Sequence, residues 1–156
     1  MKIRNNKIDY IMEAVCLILL VGLTFYLIMI WENIPDKIPA HYDWAGNIDR
    51  WGKKGELLIT PIMSWLLYLM ITALEQIPGI WNTGVRVTEE NKRRVYRVLK
   101  YMIKSMKLLM VTAFFYLSLN SISGQPLPGW FTLIFLGIMF VDLFFWIWKL
   151  IKVSQR

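Results

Sequence analysis

The chain has 156 residues, 56% of them hydrophobic and 15% aromatic, with a formal net charge of +7. A water-soluble domain of this size carries nearer about 45–50% apolar residues, and here the excess is gathered in blocks long enough to cross a bilayer, which argues against an ordinary soluble fold. The positive charge clusters beside those blocks, as a cytoplasmic membrane face requires, so nucleic acid is excluded as the expected partner.

The N-terminus reads Met1-Lys-Ile-Arg-Asn-Asn-Lys7 and runs into an apolar stretch. This resembles a signal peptide in charge, but the stretch is too long for a secretory h-region and no small-residue cleavage site follows. It is predicted to be a retained first span, about residues 10–31, with Trp31 at the far interface. The single cysteine, Cys16, lies inside this span, so no intramolecular disulfide is available and a buried structural thiol is expected.

Residues 32–56 form a polar loop. It contains the one histidine, His41, and two prolines, Pro35 and Pro39, which stiffen the approach to it. His41-Tyr42-Asp43 alternates polar groups if extended. Trp44-Ala-Gly46-Asn47 reads as a turn, with Gly46 free to take a positive φ. His41, Asp43 and Asp49 form a thin ligand set for a divalent ion such as zinc, which accepts one imidazole with carboxylates. The same residues also suit a histidine pinned by Asp43 or Asp49, or a polar lid. Trp44 and Trp51 suit either an interfacial seat or an aromatic surface for an extracellular peptide. No serine or cysteine lies near His41, so covalent catalysis is not expected, and the loop leans away from an enzyme.

A second span is predicted at about 57–77, closed by Pro78-Gly79, with Pro61 tolerated in its first turn. In the following connection, 78–100, Thr88 reads as an N-cap with Glu89 and Glu90 in the first turn of a third helix. That helix begins in water and crosses at about 101–120. A short uncharged turn leads to a fourth span at about 130–150, ending in Trp146, Trp148, Lys149 and Lys152. The expectation is one all-α membrane domain over 1–156 with four transmembrane helices and a structured loop between the first two.

Orientation follows from Lys and Arg near the span ends. Lys2, Arg4 and Lys7 precede the first span, and six cations occupy 78–100. Lys149, Lys152 and Arg156 follow the fourth span; the first connection has four cations, Lys37, Arg50, Lys53 and Lys54, but the last has none. Both termini are therefore expected in the cytoplasm of a bacterial cell with the His41 loop outside. Three acids, Glu13, Glu75 and Asp142, lie inside apolar runs toward the cytoplasmic side. Such charges are costly in a bilayer and need partners. Arg93, Arg97, Lys100, Lys104 and Lys107 recur on one helical stripe at the same depth. Lys104 and Lys107 are expected to pair with some of the three acids. The arrangement suits bundle-fixing ion pairs with snorkelling lysines, or a proton- or ligand-linked switch. Gly22 and Gly137 are isolated and name no helix–helix interface, so further oligomerisation stays open.

The run IPDKIPAHYDWAGNIDRWGKK at 34–54 resembles the signature of a bacterial membrane family known only as a domain of unknown function. The matching positions are Pro35, Ile38, Pro39, His41, Tyr42, Asp43, Gly46, Asp49 and Lys53 or Lys54. The same domain occurs in SdpI-type immunity proteins, which protect Gram-positive bacteria from a secreted killing peptide and relay its presence to a repressor. A second stretch, VRVTEENKRRVYRVLKYMI at 85–103, is similar to the segment after the second span in stand-alone members. The resemblance covers spans one to three and implies that the His41 loop is the functional face. On this reading the chain recognises an extracellular peptide or ligand, while 82–97 and the cationic stripe meet a cytoplasmic partner or anionic membrane lipid. A small transporter or transporter accessory subunit using Glu13, Glu75, Asp142 and Lys107 is the alternative, and a metal-dependent membrane enzyme a third.

Overall fold

The computed structural model describes residues 3–155. Its main elements are α1 (Lys7–Ile30), β1 (Lys37–Tyr42), β2 (Ile48–Lys53), α2 (Ile59–Glu75), α3 (Lys92–Ser123) and α4 (Phe131–Ser154), with short 3-10 turns at Trp31–Asn33, Lys54–Leu58 and Pro78–Ile80. Four helices among the described residues are long and apolar enough to cross a membrane, which makes the chain a multi-pass membrane protein.

Each helix start and stop has a local cause. Asn6 caps α1 by accepting from the Asp9 amide, while Asp9 accepts from the Asn6 amide, a reciprocal box that satisfies two otherwise orphaned donors. The third helix begins in regular form at Lys92 rather than at Thr88. Thr88 still starts the turn before it: its hydroxyl accepts from the Asn91 amide at 3.3 Å, and the Asn91 side chain accepts from the Thr88 amide at 2.8 Å. The capping box therefore stands one turn ahead of the helix. At the other end, Gly124 takes the left-handed conformation (φ 69°) that stops α3, three residues beyond the expected end.

The helices alternate in direction. α3 is the hub: α1, α2 and α4 each pack on it, while α1 and α2 touch one another only sparsely. At about 1.5 Å per residue its 32 residues extend about 48 Å, well beyond a hydrocarbon core of about 30 Å. The large apolar side chains of the other three helices face outward, among them Ile18, Met29, Leu133 and Val141. In water such a surface would drive aggregation; in lipid it is the expected exterior.

Buried side chains fall in three layers. Leu23, Leu27, Ile34, Ile38 and Leu57 fill the end beneath the strands. Cys16, Leu20, Tyr68 and Val111 fill the middle, so the lone thiol is a packing group. Val95, Val98, Leu99 and Leu150 fill the end that holds both termini.

The polar loop departs from an all-helical chain: β1 and β2 pair as an antiparallel hairpin. Its register is irregular around Pro39 and His41, where a proline without an amide hydrogen interrupts the ladder. Ile38 and Pro39 bury against the bundle, so the hairpin lies on the helix ends like a cap.

Candidate functional site

Two places gather chemically active side chains, one at each end of the bundle.

At the hairpin end, three fastenings hold the loop. Arg50 Nη1 meets Glu56 Oε2 at 2.7 Å, and Glu56 Oε1 accepts from the Lys53 amide at 2.9 Å, tying β2 to the start of α2. The Tyr42 hydroxyl accepts from Asn120 Nδ2 at 3.1 Å and lies 3.3 Å from Ser121 Oγ, tying β1 to the end of α3. The Leu127 amide donates to the Gly46 carbonyl at 2.8 Å, tying the turn to the α3–α4 connection. Gly46 has φ 90°, and a Cβ there would stand 2.5 Å from the Leu127 carbonyl oxygen, so only glycine fits.

Asp43 is a turn residue. Its Oδ1 accepts from the Ala45 and Asn47 amides at 2.9 and 2.8 Å, and its Oδ2 accepts from Asn47 Nδ2 at 3.0 Å. The Asn47 side-chain amide, helped by the backbone amides of Asn47, Ala45 and Gly46, holds the Asp43 carboxyl below the usual carboxylate range. His41 Nδ1 lies 2.7 Å from Asp49 Oδ1, and both side chains are exposed. The candidate zinc set, one of three readings of these residues, does not converge. Asp43 is consumed by its own turn, His41 and Asp49 meet each other, and among the described residues no three His, Cys, Asp or Glu side chains group around a common point. Of the six nominated loop residues, Tyr42 and Asp43 build the hairpin. His41, Asp49, Trp44 (77% exposed) and Trp51 (46% exposed) are left projecting outward.

The second place lies inside the bundle. Lys104 Nζ contacts Glu13 Oε2 at 2.7 Å and Glu75 Oε2 at 2.9 Å. Lys107 Nζ contacts Glu13 Oε2 at 3.0 Å and Glu75 Oε1 at 2.7 Å, the latter as an ion contact rather than an aligned hydrogen bond. Thr72 Oγ1 accepts from Lys107 at 3.0 Å, and the Tyr68 hydroxyl donates to Glu13 at 2.6 Å. Two acids and two lysines thus form a closed, charge-balanced square joining α1, α2 and α3. Lys107, Lys104 and Glu75 have side chains only 1–4% exposed. Asp142 stands apart from the square: it accepts from Ser105 Oγ at 2.7 Å and from Trp146 Nε1 at 3.0 Å, fastening α4 to α3.

Beside the square, the sparse α1–α2 contact leaves a cavity of about 1000 Å³, open toward the termini end and lined by Arg4, Asp9, Glu13, Glu75, Lys100 and Lys104 among others. Sequence reasoning missed Asp9 and gave Lys100 no partner. Asp9 is fully buried and pairs with Arg97 Nη1 at 3.0 Å. The signal for it was present as Asn6-x-x-Asp9 before an apolar run. Tyr68 and Thr72 were also missed, although 68, 72 and 75 share one helical stripe.

The family described as Domain of unknown function (DUF1648) matches residues 18–64, which takes in most of α1, the hairpin and the start of α2. A protein of Archaeoglobus fulgidus, described as uncharacterized, is 25% identical over 160 residues, covering 90% of this chain and 86% of its own length. No solved structure matches the chain.

Proposed function

We propose that this is a membrane recognition protein of the immunity or sensor kind, which meets an extracellular peptide or ligand through the exposed face of its hairpin. The observation that carries this reading is the division of labour in 37–53. Arg50, Tyr42, Asp43 and Gly46 hold the hairpin rigidly, Trp44 and Trp51 face outward without a part in that hold, and the cross-strand His41–Asp49 contact is itself exposed. A preorganised surface with exposed aromatic side chains loses little conformational freedom on binding and offers the residue types that dominate recognition energetics. The positive-inside distribution of Lys and Arg supports placing both termini in the cytoplasm and the hairpin outside. The match of 18–64 to a domain of unknown function is compatible with the resemblance to SdpI-type immunity proteins, and the immunity role rests on that resemblance. Binding would protect by occluding the peptide, or signal inward by shifting α3, on which every other helix packs.

A second reading, a small transporter or accessory subunit, is favoured by the cavity that ends on the Glu13–Lys104–Glu75 contacts.

The test is a strain lacking the protein, exposed to secreted peptide fractions from bacteria that share its habitat. The expected result is sensitivity to one fraction, restored to resistance by the native protein but not by Trp44→Ala or His41→Ala copies present at equal abundance in the membrane. Equal resistance with and without the protein would sink the recognition reading.

A further inference from the structure

We propose that the cavity between α1 and α2 binds the phosphate of an anionic lipid headgroup, with Lys100 and Arg4 as its cationic anchors. The inference concerns the opposite end of the bundle from the hairpin and stands whether or not the hairpin binds a peptide.

Around the cavity, with Arg97 and Lys107 counted behind its wall, five cations face three acids. Asp9 is matched by Arg97, and Glu13 and Glu75 are matched by Lys104 and Lys107. Two cations remain. Lys100 is 5% exposed, and its ammonium donates to the Ile3 carbonyl at 3.3 Å and to the Asn5 side-chain carbonyl. Neither acceptor is charged, and among the described residues no carboxylate lies within ion-pair distance of it. The third ammonium hydrogen is left for a ligand. Arg4 lines the same cavity and likewise forms no ion pair among the described residues. A nearly buried lysine held only by neutral carbonyls is expensive in a membrane protein unless an anion completes it.

The place and size of the cavity select a lipid over a loose ion. About 1000 Å³ far exceeds the roughly 30 Å³ of a water and suits a headgroup. Its walls are α1, α2 and the cationic face of α3, and α1 and α2 touch one another only sparsely, so a lipid can enter sideways between them. Lys100 sits about two turns above Lys107 toward the termini end, close to headgroup depth.

The experiment measures lipid retained by the detergent-purified full chain by native mass spectrometry. Protein is titrated with phosphatidylglycerol, with phosphatidylcholine, or with soluble glycerol 3-phosphate. The expected result is saturable retention of one phosphatidylglycerol, not matched by phosphatidylcholine. Each cation removed, by Arg4→Gln or Lys100→Gln, should weaken it about fivefold. Arg93→Gln, which changes net charge equally at an exposed position on α3, should leave it unchanged. Equal weakening by Arg93→Gln would assign retention to general surface charge and overturn the site. Equal occupancy by glycerol 3-phosphate would overturn the lipid in favour of a free phosphate. Arg4→Gln keeps the test decisive if Lys100→Gln fails to fold, because among the described residues the exposed Arg4 side chain forms no hydrogen bond or ion pair.

Discussion

Lys107 shows how a single residue can be tied to three helices at once. It is fully buried on α3, contacts Glu13 of α1 and Glu75 of α2, and lies 4.9 Å from the Tyr68 ring centre. Removing one member of a buried charge network leaves its partners uncompensated, at a cost of about 3–5 kcal/mol. Lys107→Met should therefore lower thermal stability in detergent strongly. Lys107→Met combined with Glu75→Gln removes one charge of each sign and should recover more than half of that loss; additive losses in the double variant would show that the square is not a coupled unit. The lysine stripe was legible in the four-and-three spacing of 93, 97, 100, 104 and 107, since periodicity alone fixes a helix face. The choice among acids was not, because Glu13, Glu75 and Asp142 all lie at suitable depth. What separates Asp142 is that Ser105 and the indole of Trp146 satisfy it locally.

The hairpin is the element whose form depends most on one turn. Its tip is held to the 124–130 connection by one backbone hydrogen bond and by contact too close for any side chain at Gly46. Gly46→Ala combines a positive φ with a collision against the Leu127 carbonyl. It should raise amide exchange across 37–53 by about fivefold or more, while the four helices keep their protection, since a backbone strain of about 1–3 kcal/mol falls on the turn alone. Unchanged exchange in the hairpin would show that the tip is not fastened there. The turn at 44–47 could be read from its glycine and asparagine. The flanking strands could not be named, because β1 carries a proline and a register irregularity and β2 buries little, so neither shows clean alternation.

At the scale of the molecule, three lipid-facing helices surround a longer and less apolar one. Orientation can be measured with the chain's own chemistry, since Cys16 is fully buried and silent toward a bulky maleimide. Trp44→Cys should label with a membrane-impermeant maleimide in intact cells, and Ser154→Cys only after permeabilisation. The reverse pattern would invert the proposed topology. Length and hydropathy made the four membrane-length helices legible from the sequence, because lipid imposes those requirements locally along the chain. The gap between α1 and α2 was not legible. Which helices part company is decided by how side chains pack in three dimensions, and here both helices prefer α3.

The ion pairs of Glu13 also bear on how the chain is made. Its lysine partners lie 91 and 94 residues further on. At synthesis rates of roughly 5–20 residues per second, those lysines emerge between roughly 5 and 20 s after the acid. During that interval α1 must enter the bilayer with an uncompensated carboxyl group, and only its own apolar residues can offset the insertion penalty. The almost unbroken run from Leu17 to Ile30 fits that requirement. Much of that hydrophobicity faces lipid and makes no contact in the finished bundle, so its composition records the demands of insertion as much as those of the folded state.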